Sequence, residues 1–129
     1  MRFLLFLLFI SIASGCSTVK DARNSLTSVE GRVYKASLDE LWDSTISIID
    51  RSDLQLIYEN KLQGDLLGQR PINAFSWGEN VFINVISVTP STSCIKVSSK
   101  KSVYFNVTAK NWKEYIYDKL DENFESVTD

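Results

Sequence analysis

Ser37-Leu38-Asp39-Glu40-Leu41-Trp42-Asp43-Ser44-Thr45-Ile46-Ser47-Ile48-Ile49 opens with a capping pattern, then repeats apolar residues every third and fourth position. The Ser37 hydroxyl can accept from the backbone N–H of Glu40, and the Glu40 carboxylate can reach back to the Ser37 amide. Leu38, Leu41, Trp42, Thr45, Ile48 and Ile49 share one helical face. Asp39 and Glu40 complement the helix dipole in the first turn. The pattern predicts an amphipathic helix ending near Arg51-Ser52-Asp53, with a face that a second layer has to cover.

The flanking sequence supplies that layer. Upstream, Val29 to Ala36 alternates around Val33 and Tyr34 and predicts a first strand. Downstream, Leu54 to Leu62 predicts a strand with Leu54, Leu56 and Tyr58 on one face. Gly64-Asp65 marks a turn, and Leu66 to Gln69 a short returning strand with Gly68 as a kink. Arg70 to Gly78 contains Pro71 and Asn73 and is read as a loop, with a strand edge around Ala74 to Trp77 as the alternative. Val81 to Val88 and Cys94 to Ser99 are β-prone runs joined by Thr89-Pro90-Ser91-Thr92, a hairpin connection. Ser102 to Thr108 reads equally as loop or strand. Asn111-Trp112-Lys113-Glu114 then repeats the capping pattern. Trp112, Ile116, Leu120, Phe124 and Val127 continue at helical spacing, flanked by Tyr115 and Asn123. The order β-α-β-β-β-β-α predicts an α+β domain: an antiparallel sheet of about four to five strands with two helices packed on one face. Trp42 and Trp112 read as core residues of that domain.

The first residues carry a different signal. Met1-Arg2 is positively charged, Phe3 to Ile10 is an unbroken apolar run, and Ala13-Ser14-Gly15 leads into Cys16. This is the layout of a secretory signal segment. It falls short of the roughly 20 residues needed to cross the hydrocarbon core, which argues against a permanent transmembrane helix. A non-lipidated export signal cut after Ala13 or Gly15 remains the alternative. Ile12-Ala13-Ser14-Gly15-Cys16 resembles the lipobox of bacterial lipoproteins. That resemblance implies acylation of the Cys16 thiol and cleavage just before it. In Gram-negative lipoproteins Asp after the cysteine favours inner-membrane retention; Ser17 here implies the outer membrane, facing the periplasm. The expected organisation is a signal peptide at 1–15, a lipidated N-terminus and polar tether at 16–28, and one α+β domain at 29–129.

A second resemblance rests on Val33-Tyr34-Lys35-Ala36-Ser37-Leu38-Asp39-Glu40-Leu41-Trp42, followed by Asp53-Leu54-Gln55-Leu56 and Gly64-Asp65-Leu66-Leu67. These segments resemble small bacterial lipoprotein domains of uncharacterised function. The arrangement, over roughly Val29 to Val127, is similar to the helix-grip repeats of BamC, a lipoprotein of the outer-membrane protein assembly machinery. The likeness implies a helix-grip-like fold and an accessory role in the cell envelope.

Composition narrows the chemistry. Removing residues 1–15 leaves 114 of 129 residues, enough for one domain. Loss of Arg2 leaves 13 basic against 16 acidic residues, a balance that argues against nucleic acid or an anionic membrane surface as partner. The chain has two cysteines and no histidine. With Cys16 acylated, Cys94 would be a lone thiol, read as a small strand residue with intermolecular pairing as the alternative. The missing histidine removes the usual general base and zinc ligand. Asp39, Glu40 and Asp43 read as a capped, solvated helix face, as do Asp118, Asp121, Glu122 and Glu125. No calcium-loop spacing, phosphate-cradling glycine loop or nucleophile motif is present, so no cofactor, metal or catalytic residue is expected. Lys96, Lys100 and Lys101 fit edge-strand protection or partner binding equally. Phe75, Trp77 and Phe82 form the best candidate for an interaction surface, with a satellite of the core as the alternative.

Three functions are compatible with this reading. The foremost is a non-enzymatic accessory lipoprotein held on the bilayer by acyl chains and binding an envelope protein. The second is a carrier of a small apolar ligand or lipid, which requires an apolar chamber between helix and sheet. The third is an envelope enzyme.

Overall fold

Ser37 caps the first helix as the sequence demands. Its Oγ accepts from the Glu40 amide at 3.2 Å, and Glu40 Oε2 accepts from the Ser37 amide at 2.8 Å. The structure, a computed structural model, describes residues 29–73, 76–101 and 111–127. Its elements run β1 (Arg32–Tyr34), α1 (Leu38–Asp50), β2 (Gln55–Asn60), β3 (Asp65–Asn73), β4 (Ser76–Thr89), β5 (Thr92–Lys101) and α2 (Trp112–Asp121). The strands form one antiparallel five-stranded sheet in the order β1-β5-β4-β3-β2. The α+β class and the element order are those the sequence predicts.

Both helices lie against one face of the sheet and share its core. From α1 come Leu41, Trp42, Ile48 and Ile49; from α2 come Trp112, Ile116, Tyr117 and Leu120. The sheet meets them with Tyr34, Leu66, Val81, Ile83, Val85, Ile95 and Val97. The alternation of Val81, Ile83 and Val85 along β4 follows from the period of a strand, which sends every second side chain to one face. Each fully buried aliphatic side chain contributes about 1.5–3 kcal/mol of hydrophobic stabilisation. Trp42 and Trp112 are both core residues, at 4% and 0% exposure.

Several boundaries differ from the sequence reading. The Arg70 to Gly78 segment, read as a loop, is strand on both sides of residues 74–75, with Ile72 paired to Trp77 and Asn73 to Ser76. β2 pairs with β3 only as far as Gln69, so Pro71 lies where β3 has a strand on one side alone among the described residues. Such one-sided stretches tolerate the missing N–H of proline. Likewise Leu66 to Gln69 is not a short strand but part of the nine residues of β3.

Tyr58 does not share a face with Leu54 and Leu56. The register shifts between Leu56, which opposes Gly68, and Tyr58, which opposes Leu67. Ile57 is the extra residue of a bulge, and it turns Tyr58 to the other side of the sheet. The last helix also stops earlier than its stripe suggested, at Asp121. The amides of Asn123 and Phe124 both return to the Leu120 carbonyl, at 3.0 and 2.9 Å. The chain then runs back along β1: Lys35 N–H donates to Glu125 O at 2.9 Å, and Val127 N–H to Val33 O at 2.8 Å. Phe124 still reaches the core, edge-to-face against Tyr34. Val127 is exposed. Residues 1–28, with Cys16 and the tether, lie outside the described residues, as do Phe75 and the Ser102 to Thr108 segment.

Candidate functional site

Among the described residues no helix covers the second face of the sheet, and its register can be read row by row. Tyr58 opposes Leu67, Leu67 opposes Phe82, and Phe82 opposes Ser98, which puts an apolar row across three strands with a serine at its end on the fourth. Leu67 and Phe82 form a small cluster of their own against Tyr58. Polar cross-strand pairs flank the row. Gln69 Nε2 donates to Asn80 Oδ1 at 3.2 Å, and Asn84 Nδ2 donates to Asp65 Oδ1 at 2.9 Å. Farther along, Cys94 opposes Ile86, which is 46% exposed, and Asn84 opposes Lys96. Burial holds the Cys94 thiol pKa above its ordinary value.

Of the aromatic candidates, Phe82 and the strand position of Trp77 fall within the described residues. Phe82 lies in the middle of β4, not in a loop, and is 5% exposed, so it is a satellite of the core and offers little contact area of its own. Trp77 belongs to the first part of β4, paired with Ile72. Phe75 lies outside the described residues. Lys96 is paired on one side to Asn84, and β1 reaches only as far as Ile95 on the other. β5 is therefore an interior strand at Ser93–Ile95 rather than an edge along its whole length.

Several of the acidic residues are committed to structural bonds. Glu40 completes the cap of α1; its bonds from the Ser37 amide and hydroxyl hold its pKa below the usual carboxylate value. Asp39 accepts from Lys61 Nζ at 2.8 Å. Asp121 accepts from the Tyr34 hydroxyl at 2.8 Å and from Arg32 Nη1 at 3.1 Å, tying α2 to β1. Burial first, and the bond to Asp121 second, push the Tyr34 phenol well above its normal range. Arg32 also lies 4.2 Å over the Tyr117 ring. Glu125 pairs with Lys35 and Glu122 with Lys119. Among the described residues no group of His, Cys, Asp or Glu could hold a metal ion.

The sequence reading passed over Glu79. Its carboxylate is 0% exposed and points to the helix side of β4, in step with Val81, Ile83 and Val85. Arg70 Nη1 donates to Oε1 at 3.2 Å, and the Trp112 indole N–H donates to Oε2. Arg70 comes from β3 directly opposite, and Trp112 is the first residue of α2. The period-two pattern of β4, extended two residues backward, would have marked Glu79 as inward. A buried carboxylate needs partners, and here both oxygens have one. The arrangement fixes the start of α2 to the end of the sheet. No protein-family model matches this chain, and comparison with curated proteins finds no match.

Proposed function

We propose that this protein is a membrane-anchored, periplasm-facing lipoprotein of the outer membrane, serving as a non-enzymatic accessory module that binds another envelope protein. The observation that carries this reading is the apolar run ending in Ala13-Ser14-Gly15-Cys16. Each buried methylene of an acyl chain contributes about 0.8 kcal/mol, so two or three chains on Cys16 would hold a domain this small on the bilayer. The anchor confines the domain near its partner and raises the effective concentration of the pair. The helices on one face of an antiparallel sheet are the architecture that a BamC-like helix-grip domain would have. The commitment of Glu40, Glu79 and Asp121 to caps and ties supports a scaffold rather than a catalyst. A broad sheet face outside the helices leaves room for a protein partner. The helix-facing side is filled by packed side chains, so the lipid-carrier reading draws no support from it.

The test has two steps. Mass spectrometry of the membrane fraction should find the mature chain beginning at an acylated Cys16, and Cys16→Ser should move the protein to the soluble fraction. Photocrosslinking from Trp77 and Ile86 in intact cells should then trap one envelope protein. An unmodified thiol, or a Cys16→Ser variant that fractionates like the wild type, refutes the anchor.

A further inference from the structure

The two helices leave a groove between them of about 290 Å3, lined by Ser44, Ser47, Ile48 and Arg51 of the α1 side and by Tyr115, Lys119, Glu122 and Asn123 of the α2 side. Its size is just under that of pockets that hold drug-sized molecules, roughly 300–1,000 Å3, so it suits a ligand of one ring. The lining residues repeat at helical spacing, which aligns Ser44, Ser47 and Arg51 along α1. Ile48, 8% exposed, belongs to the core and forms the apolar floor. The Tyr115 ring, edge-to-face on Trp112 at 5.5 Å, forms a wall.

The polar groups define what such a ligand must offer. Arg51 is exposed and makes no ion pair among the described residues. The Ser44 and Ser47 hydroxyls, half-buried, take no hydrogen bond there either. These are three uncommitted donor groups on one wall. The opposite wall carries Lys119 and Glu122, paired with each other at 3.1 Å, and Asn123, whose Nδ2 is engaged with the Lys119 carbonyl and whose Oδ1 is left to accept. Arg51 and Glu122 are also the C-caps of α1 and α2. Helix C-termini carry partial negative charge, which works against a phosphate dianion. A single carboxylate can still pair with the Arg51 fork, and ligand hydroxyls can donate to Asn123 and accept from the serines.

We infer that the interhelical groove is a binding site for a small hydroxylated carboxylate, a sugar acid in chemical class. Arg51 takes the carboxylate, Ser44, Ser47 and Asn123 take the hydroxyls, and the Tyr115 ring packs against the ligand ring. This site is independent of whether Cys16 is acylated.

The test is 15N-edited NMR titration of the full chain in detergent micelles with N-acetylmuramic acid. N-acetylglucosamine, which lacks the carboxylate, and inorganic phosphate serve as comparisons. The expected result is saturable shifts at Ser44, Ser47, Arg51 and Asn123 from the acid alone, with Arg51→Gln weakening binding at least about tenfold. Ser47→Ala, on the same wall, should weaken it less while preserving the fold by circular dichroism. Absence of shifts at about 10 mM acid, equal shifts from the neutral sugar, stronger binding of phosphate, or unchanged affinity in Arg51→Gln overturns the inference.

Discussion

Replacing Glu79 by Leu tests whether its buried carboxylate holds the start of α2 on the sheet. Glu79 is 0% exposed, and the substitution takes away the acceptor of both the Arg70 guanidinium and the Trp112 indole N–H. Loss of one partner from a buried, hydrogen-bonded ion pair costs about 3–5 kcal/mol. The Arg70 side chain keeps 18% exposure and can turn toward water, which lowers the expected cost to roughly 2–3 kcal/mol. At about 4–8 °C per kcal/mol for a domain of this size, Tm should fall by roughly 10–20 °C. Urea unfolding followed by tryptophan fluorescence should show a lower midpoint with the same slope. The double change Arg70→Met with Glu79→Leu should recover much of the loss, because no cation is then left without its partner. A Glu79→Leu protein within about 0.5 kcal/mol of the wild type would refute the reasoning, since the buried pair would then hold nothing.

Three further outcomes are expected. Gly64 has φ +76°, and a Cβ there would collide with the Val85 carbonyl oxygen, so Gly64→Ala should destabilise by at least about 2 kcal/mol. Gly68→Ala meets only Leu54 side-chain atoms, the nearest at 3.3 Å, and should cost clearly less in the same urea assay. Because burial raises the Cys94 pKa above 9.0, its thiolate is scarce at neutral pH, and a thiol reagent at pH 8 should label the folded chain at least about tenfold more slowly than the chain in urea. The Glu40 pKa is lowered below 4.5 by its bonds to Ser37, so its stabilisation is present above pH 4.5 and fades as pH falls through the folded value. The stability gap between wild type and Glu40→Gln should therefore close under acid, and a gap independent of pH would contradict the cap as the source.

What could be read from sequence was local. Ser37 with Glu40, and Asn111 ahead of Trp112, announce helix starts within four residues, and both caps are present. The hairpin at Thr89-Pro90-Ser91-Thr92 closes as expected, with Thr89 paired to Thr92. What escaped depends on neighbours distant along the chain. Pro71 reads as a breaker until one knows that β2 stops short of it. Tyr58 changes face because Ile57 bulges, and no alternation count reveals one extra residue. Phe124 and Val127 keep helical spacing, yet the pull of β1 on Glu125 and Val127 unwinds them from it. Glu79 was passed over because its partners, Arg70 and Trp112, are 9 and 33 residues away. The groove between the helices was not legible for the same reason: Arg51 and Asn123 meet only in the tertiary fold.

The return of residues 125–127 along β1 has a consequence for colloidal behaviour. β1 is the outermost strand, and Ser126 bridges Tyr34 on its open flank. The chain thus wears its own tail as a bumper, occupying the main-chain groups through which identical molecules would otherwise zip rim to rim. Clipping the chain after Asn123 would convert a self-sealed molecule into a sticky one.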